Sequence, residues 1–284
     1  MMDIHLLPAS TFPSEQLTGI LNDCYEDYAT PIHFHSQQFD FFVRAHDVLL
    51  DRSFVALADN ELVGLTLLGK RGERGWVSGL GVLPNRRRQG IAQALMVEVM
   101  KNARDVGVKR LQLEVISNNQ PAIDLYTGLG WRLGRELLVW ERAEVQGPLP
   151  IHREMSREMD VRFLLENYFD AWHEIPTCWQ REKESLMRYI EIGMQGWAIL
   201  RDDVPVAYVL GFPPRNGIMH LMDVAVDPEI GYKSAGRAMI QNLHRMYKTT
   251  TQLPNEPVES KLNFLFAAMS YQVVLRQQEM TIEL

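Results

Sequence analysis

The chain has 284 residues, 46% of them hydrophobic and 23% charged, and a formal net charge of −7 at pH 7. That length holds two domains of ordinary size, and the composition is that of a folded globular protein, which excludes fibrous and disordered classes. An acidic chain whose basic residues cluster only briefly is a poor match to nucleic acid.

Cys24 and Cys178 lie far apart and offer neither metal spacing nor a disulfide framework, so no metal is expected and a reducing compartment is. No apolar run reaches 18 residues and the N-terminus lacks a basic-then-apolar signal, so the expectation is a cytoplasmic protein away from the membrane. In chain order, residues 4–7 alternate as a strand, and 13–27 form a helix entered from Ser10, Thr11 and Pro13. Ser36 is the expected cap of a second helix running to about residue 48. Residues 53–58 and 62–68 read as strands about an Asp59-Asn60 turn, with a flexible loop over 69–75. Residues 76–82 then alternate as the central strand, which Pro84 and Asn85 break.

Ile91, Leu95, Val99, Ala103 and Val106 follow on one helical face, so the break is a strand-to-helix turn, and it carries Arg87-x-x-Gly90-x-Ala92. Small residues at 90 and 92 let a ligand approach the backbone, and the first amides of a helix have no intrahelical partner. Between 74 and 110 there are 8 basic and 2 acidic residues, so the turn suits a pyrophosphate-like anion; a solvated basic helix start is the alternative. Residues 110–115 alternate as a strand. Asn119 caps the next helix, Pro121 sits in its first turn, and Gly128 with Gly130 ends it. Residues 131–133 and 137–141 close as strands, and Gln146, Gly147, Pro148 and Pro150 mark a linker between domains 1–145 and 146–284.

The turn, the strand after it and the closing Leu125-Tyr126-x-x-Leu129-Gly130-Trp131, in this order and spacing, resemble the coenzyme A-binding motifs of the GNAT N-acetyltransferase superfamily over residues 1–142. The resemblance implies an α/β fold with a mixed, mostly antiparallel twisted sheet flanked by helices, and direct attack of a substrate amine on acetyl-CoA. It implies that the amides of Arg87, Arg88, Gln89, Gly90, Ile91 and Ala92 hold the pyrophosphate. Leu80, Gly81 and Val82 would pair with the pantetheine arm, with Gly79 and Gly81 suited to a bulge and an amide near Leu80 facing the thioester oxygen. Tyr126 would be the general acid, and Asn119 would touch the cofactor arm besides capping its helix. Glu114 is the candidate base; its alternative is a structural role, and the central strand itself offers only Ser78. Glu26, Tyr28, His33 and His35 lie on the connection that borders the acceptor pocket in this fold; each by itself reads as a surface or packing residue, and together they are the candidate for acceptor selection.

The second half repeats the first. Residues 54–64 align with 197–207 at an offset of 143, 80–84 with 224–228 at 144, and 125–131 with 265–271 at 140. At the anion turn, however, Gly231-Tyr-Lys233-Ser234-Ala-Gly236 replaces Arg87 to Ala92, Ser234 stands for Gly90, and Phe266 stands for Tyr126. The expectation is a tandem acetyltransferase with an active first copy and a degenerate second, monomeric, acting on a small-molecule or peptide amine. The alternative is an acyl-CoA sensor or an interaction protein using the aromatic residues 168–179.

Overall fold

The structure, a computed structural model, describes residues 4–28, 33–144 and 154–284. Its contacts divide the chain into two units, residues 1–134 with 278–284, and residues 135–277. The division falls inside a strand, after residue 134, and residues 137–142 bond to the strand at 251–257. The expected linker residues 146–150 lie outside the described residues.

In the first unit β1 (Ile4–Pro8), α1 (Ser14–Cys24) and α2 (Ser36–Ala45) lead into β2 (Phe54–Ala58), β3 (Glu61–Arg71) and β4 (Arg74–Val82). Then come α3 (Ile91–Asp105), β5 (Arg110–Ile116) and α4 (Gln120–Gly128). The sheet order is β1-β2-β3-β4-β5, with the chain's last strand beyond β5. Every junction from β1 to β4 is antiparallel and β4–β5 is parallel. One face buries Val55, Leu65 and Leu67 against Leu17, Leu21 and Phe39 of α1 and α2. The other buries Ala56, Val63 and Leu68 against Ile91, Leu95 and Val99 of α3, each large apolar side chain contributing roughly 1.5–3 kcal/mol.

Four local expectations are corrected. Residues 69–75 are not a loop: β3 and β4 run on to pair Lys70 with Gly75 and Arg71 with Arg74, around a tight turn with Gly72 at φ 58°. Gly75 is glycine for a different reason, since a Cβ there would lie 2.5 Å from Leu111 Cδ2. The first two helices are shorter than expected, and His35, not Ser36, is the capping position, its N–H donating to Gln38 Oε1 at 2.8 Å. The two closing strands are one.

In the second unit that strand, β6 (Arg132–Arg142), precedes β7 (Ser156–Met159), α5 (Val161–Trp172), α6 (Lys183–Tyr189), β8 (Gln195–Arg201) and β9 (Val204–Gly211). β10 (Ile218–Val226), α7 (Arg237–Met246), β11 (Thr250–Pro257) and α8 (Leu262–Ala268) complete it, and the last strand, β12 (Gln272–Glu283), passes from this unit into the first at residue 278. The order in the second unit is β7-β8-β9-β10-β11-β6. The aromatic stretch expected as a binding face is largely core, with Trp172 and Trp179 buried. No helix among the described residues is long and apolar enough to cross a membrane.

The repeat read from sequence is a repeat of fold. β4 pairs with β5 only over Arg74–Trp76, and β10 with β11 only over Ile218–His220, so in each unit the parallel strands part after three residues. Each long strand also carries a bulge just beyond, at Ser78 and at Met222, positions that correspond at the offset of 144. A bulge bends its strand and turns backbone groups out of the ladder.

Candidate active site

In the first unit the strand-to-helix turn ends at Gly90, which caps α3 with φ 83° and supplies no side-chain bond to the first amides. A Ser, Thr or Asp cap would stabilise the helix by about 1 kcal/mol but would occupy those amides. A Cβ at Gly90 would meet nothing within 4 Å, so the space in front of the turn is open. Arg88 also takes a positive φ, at 63°, and is exposed beside Gln89. Ile91 is buried and presents only its backbone.

The three arginines separate. Arg87 points inward: it holds Asp27 through both guanidinium nitrogens at 2.7 Å and donates to Val82 O and Cys24 O at 3.1 Å. Its hydrogen bond to Asp27 raises its own pKa and lowers that of the carboxylate. Arg86 faces Asp59 and Glu61 at 3.5 Å. Of the sequence's three cations, Arg88 is the one facing the anion turn without a carboxylate partner among the described residues.

Gly81 determines what happens next to the central strand. A Cβ at 81 would sit 2.6 Å from Cys24 Cβ, so only glycine lets the end of α1 rest on β4. Burial raises the Cys24 thiol to about 12, which makes it inert. The next residue, Tyr25, donates its hydroxyl to Leu80 O at 3.0 Å and accepts from Leu80 N–H at 3.3 Å. Burial also raises the Tyr25 pKa. The backbone group expected to face a thioester is thus engaged by the chain's own tyrosine. Sequence reasoning missed it, because 55 positions separate the partners and no local pattern marks the contact.

Tyr28 packs edge-on to Tyr25 at 5.1 Å between ring centroids, and burial raises its pKa against the opposing influence of the Asn119 side chain and the Ile116 backbone. Tyr25 and Tyr28 therefore straddle the mouth where β4 and β5 part. Tyr126 is buried close to both; burial raises its pKa, and charge on Tyr25 or Tyr28 would raise it further. Its ring lies 6.1 Å from that of Trp131. Asn119 caps α4, accepting from Ala122 N at 3.3 Å. Glu114 is fixed by the Trp76 indole, which donates to Oε2 at 2.7 Å, and Trp76 in turn packs on Phe42 and His46. Ser78 Oγ is buried at the bulge with no hydrogen-bond partner among the described residues. His33 and His35 face each other at 5.7 Å, and Glu26 is exposed on the turn after α1.

The corresponding slot of the second unit is filled. Arg181, 1% exposed, donates to Met222 O and Asp223 Oδ1 on β10 at 2.9 and 3.1 Å. It reaches Pro254 O and Glu256 Oε2 on β11 at 3.2 and 2.5 Å. Its guanidinium thus bridges the parting strands. His173 and the Tyr208 hydroxyl add bonds to Asp223 at 3.1 and 2.8 Å. At the anion turn, residues 232–236 wind as a π-helical turn, and Arg201 donates to Ser234 Oγ at 2.6 Å. Arg181 lies 42 and 75 positions from its two carboxylates, and no motif signals it.

A parting parallel pair beside a strand-to-helix turn, built twice in one chain, defines the tandem N-acetyltransferase class of fold. Residues 14–131 match the model of the acetyltransferase (GNAT) family. Solved structures align along nearly the whole chain. A tandem GNAT protein of the clavulanic acid biosynthesis pathway has a TM-score of 0.73 and 14% identity, over 100% of this chain and 98% of that one. A GCN5-related N-acetyltransferase from Sphaerobacter thermophilus gives 0.71 and 15%, over 99% and 95%. Another from Anabaena variabilis gives 0.62 and 15%, over 98% and 72%. Members of the acetyltransferase (GNAT) family, whose model residues 14–131 match, use acetyl-CoA as co-substrate.

Proposed function

We propose that the first unit transfers an acetyl group from acetyl-CoA to an amine by direct attack, and that the second unit has lost cofactor binding. The difference between the two turns carries this reading. One ends in an open, left-handed glycine, and the other is wound shut with its slot bridged by Arg181.

In this mechanism the amides of residues 88–92 hold the pyrophosphate and Arg88 adds charge, while Arg87 shapes the turn from behind. The pantetheine arm enters where β4 and β5 part and bonds to Leu80 and Val82, displacing the Tyr25 hydroxyl. The neutral amine forms the new N–C bond as the C–S bond breaks. Tyr126, kept protonated by burial, gives its proton to the departing thiolate, and the amine's proton leaves through Glu114 or water. An acidic chain and a carboxylate held by Trp76 favour a cationic acceptor.

Calorimetric titration of the full chain with acetyl-CoA tests the asymmetry: one site per chain is expected, and two equivalent sites would refute it. Gly90→Ser should weaken that site by about 100-fold or more. The left-handed φ costs a side chain ~1–3 kcal/mol, and each charge-assisted amide bond lost costs roughly 1.5–3 kcal/mol. Tyr25→Phe should do the opposite. With no hydroxyl to displace from Leu80, acetyl-CoA should bind about 2- to 10-fold more tightly, the worth of one net hydrogen bond; weaker binding would show that Tyr25 holds the cofactor instead.

The seat of Tyr25 on Leu80 is also the observation that favours a second reading, an acyl-CoA sensor without turnover. Thiol release across a panel of amines separates the two, since a sensor binds acetyl-CoA and acetylates none of them.

A further inference from the structure

The second unit contains a cavity of about 200 Å³ that has nothing to do with its closed slot. Arg237, Gln241 and His244 line it from one face of α7, at spacings of four and three residues. Arg142, the last residue of β6, and Met269 and Ser270, just past α8, complete it.

Its lining includes two guanidiniums, a carboxamide and a hydroxyl, and no carboxylate. Neither Arg142 nor Arg237 has an ion-pair partner among the described residues. Nearby arginines of the same unit do: Arg157 with Asp203, Arg201 with Glu154 and Arg276 with Glu136. In a chain with 36 acidic residues against 29 basic ones, leaving this pair uncompensated is unusual. Burial lowers the Arg142 pKa, and burial with the charge of Arg142 lowers His244 to about 3. His244 is therefore neutral, bonded to the Tyr271 hydroxyl at 2.9 Å. Near the end of α8 the carbonyls of Leu265, Phe266 and Ala267 already accept from the amides of Met269, Ser270 and Tyr271.

The first copy has no counterpart. At the offset of 144, Arg237, Gln241 and His244 correspond to Gln93, Val97 and Met100, so the cations are not inherited from the shared fold. Two arginines lining one cavity with a flanking carboxamide are a donor set for the oxygens of a phosphate or carboxylate.

We propose that this cavity binds a small molecule through its phosphate or carboxylate group, at a site of the second unit independent of cofactor binding in the first. An anion there would meet both arginines, neither of which has an ion-pair partner among the described residues.

Crystals of the full chain soaked in tungstate should show an anomalous peak between the two guanidiniums, and crystals of an Arg142→Met/Arg237→Met double variant should not. In solution, inorganic phosphate and succinate distinguish the two oxyanion classes. Whichever binds the wild type in the cavity should bind the double variant about 10- to 100-fold more weakly, the loss of a charge-assisted contact. Without anion the variant should be about as heat-stable as wild type, because neither arginine has an ion pair among the described residues to lose. Should it fail to fold, Arg237→Gln alone, exposed at the start of α7, carries the same comparison. A peak confined to the turn at residues 88–92, or equal binding of both probes by the variant, overturns the proposal.

Discussion

Tyr126→Phe is expected to lower kcat by about 100-fold or more while changing the Kd for acetyl-CoA less than about threefold, because general acid catalysis contributes roughly 10²–10⁴. The hydroxyl sits in the core between α3, α4 and the sheet, where burial raises its pKa and keeps it a neutral donor at any working pH. Phenylalanine keeps the ring against Trp131, so stability should move by no more than about 1 kcal/mol. Thiol release gives kcat and calorimetry gives Kd. Equal losses in both would make Tyr126 a packing residue of the cofactor arm. The second copy offers an internal comparison, since Phe266 already stands at the corresponding position, buried with its ring 4.9 Å from that of Tyr271.

The largest stability effect should come from Arg181→Met. Asp223 is fully buried and Glu256 nearly so, and removing their shared cation leaves Glu256 without a counter-charge and Asp223 with His173 alone, at a cost of about 3–5 kcal/mol. Adding Asp223→Asn and Glu256→Gln should recover most of that loss, because neutral groups need no counter-charge. Urea or thermal melts measure both variants. A single-variant loss below about 1 kcal/mol would mean that water enters the slot and solvates the acids.

The same cluster governs the pH dependence of the second unit. Burial alone would raise the Asp223 carboxyl, but the charges of His173 and Arg181 overcome it and hold the group at about 2. Its contribution, roughly 2 kcal/mol, is present above 3.8 and is lost as the pH falls toward 2. Burial alone would lower His173, but Asp223 raises it, so its contribution is complete below 6.5 and fades as the pH rises through the higher folded value. Maximum stability should therefore lie between about pH 4 and 6.5, with His173→Asn flattening the alkaline side and also weakening the acid side, since His173 helps hold Asp223 down.

Sequence alone determined whatever depends on short-range periodicity and backbone freedom. The face of α3, the small residue at Gly90 and the Asn119 cap all involve neighbours within one or two helical turns, and the repeat with Ser234 for Gly90 compares two such local patterns. Their physics is written into adjacent residues. Tertiary structure decided where side chains far apart in sequence meet. Arg87, read as a phosphate cation, turned inward because α1 brought Asp27 and Cys24 O to it across 60 and 63 positions. Gly81 looked like a bulge glycine, but the bulge is at Ser78, and Gly81 is small so that Cys24 can rest on the strand and seat Tyr25 on Leu80. Long-range hydrogen bonds and ion pairs have no period, so neither Tyr25 on Leu80 nor Arg181 between its two acids could be read before the chain was folded.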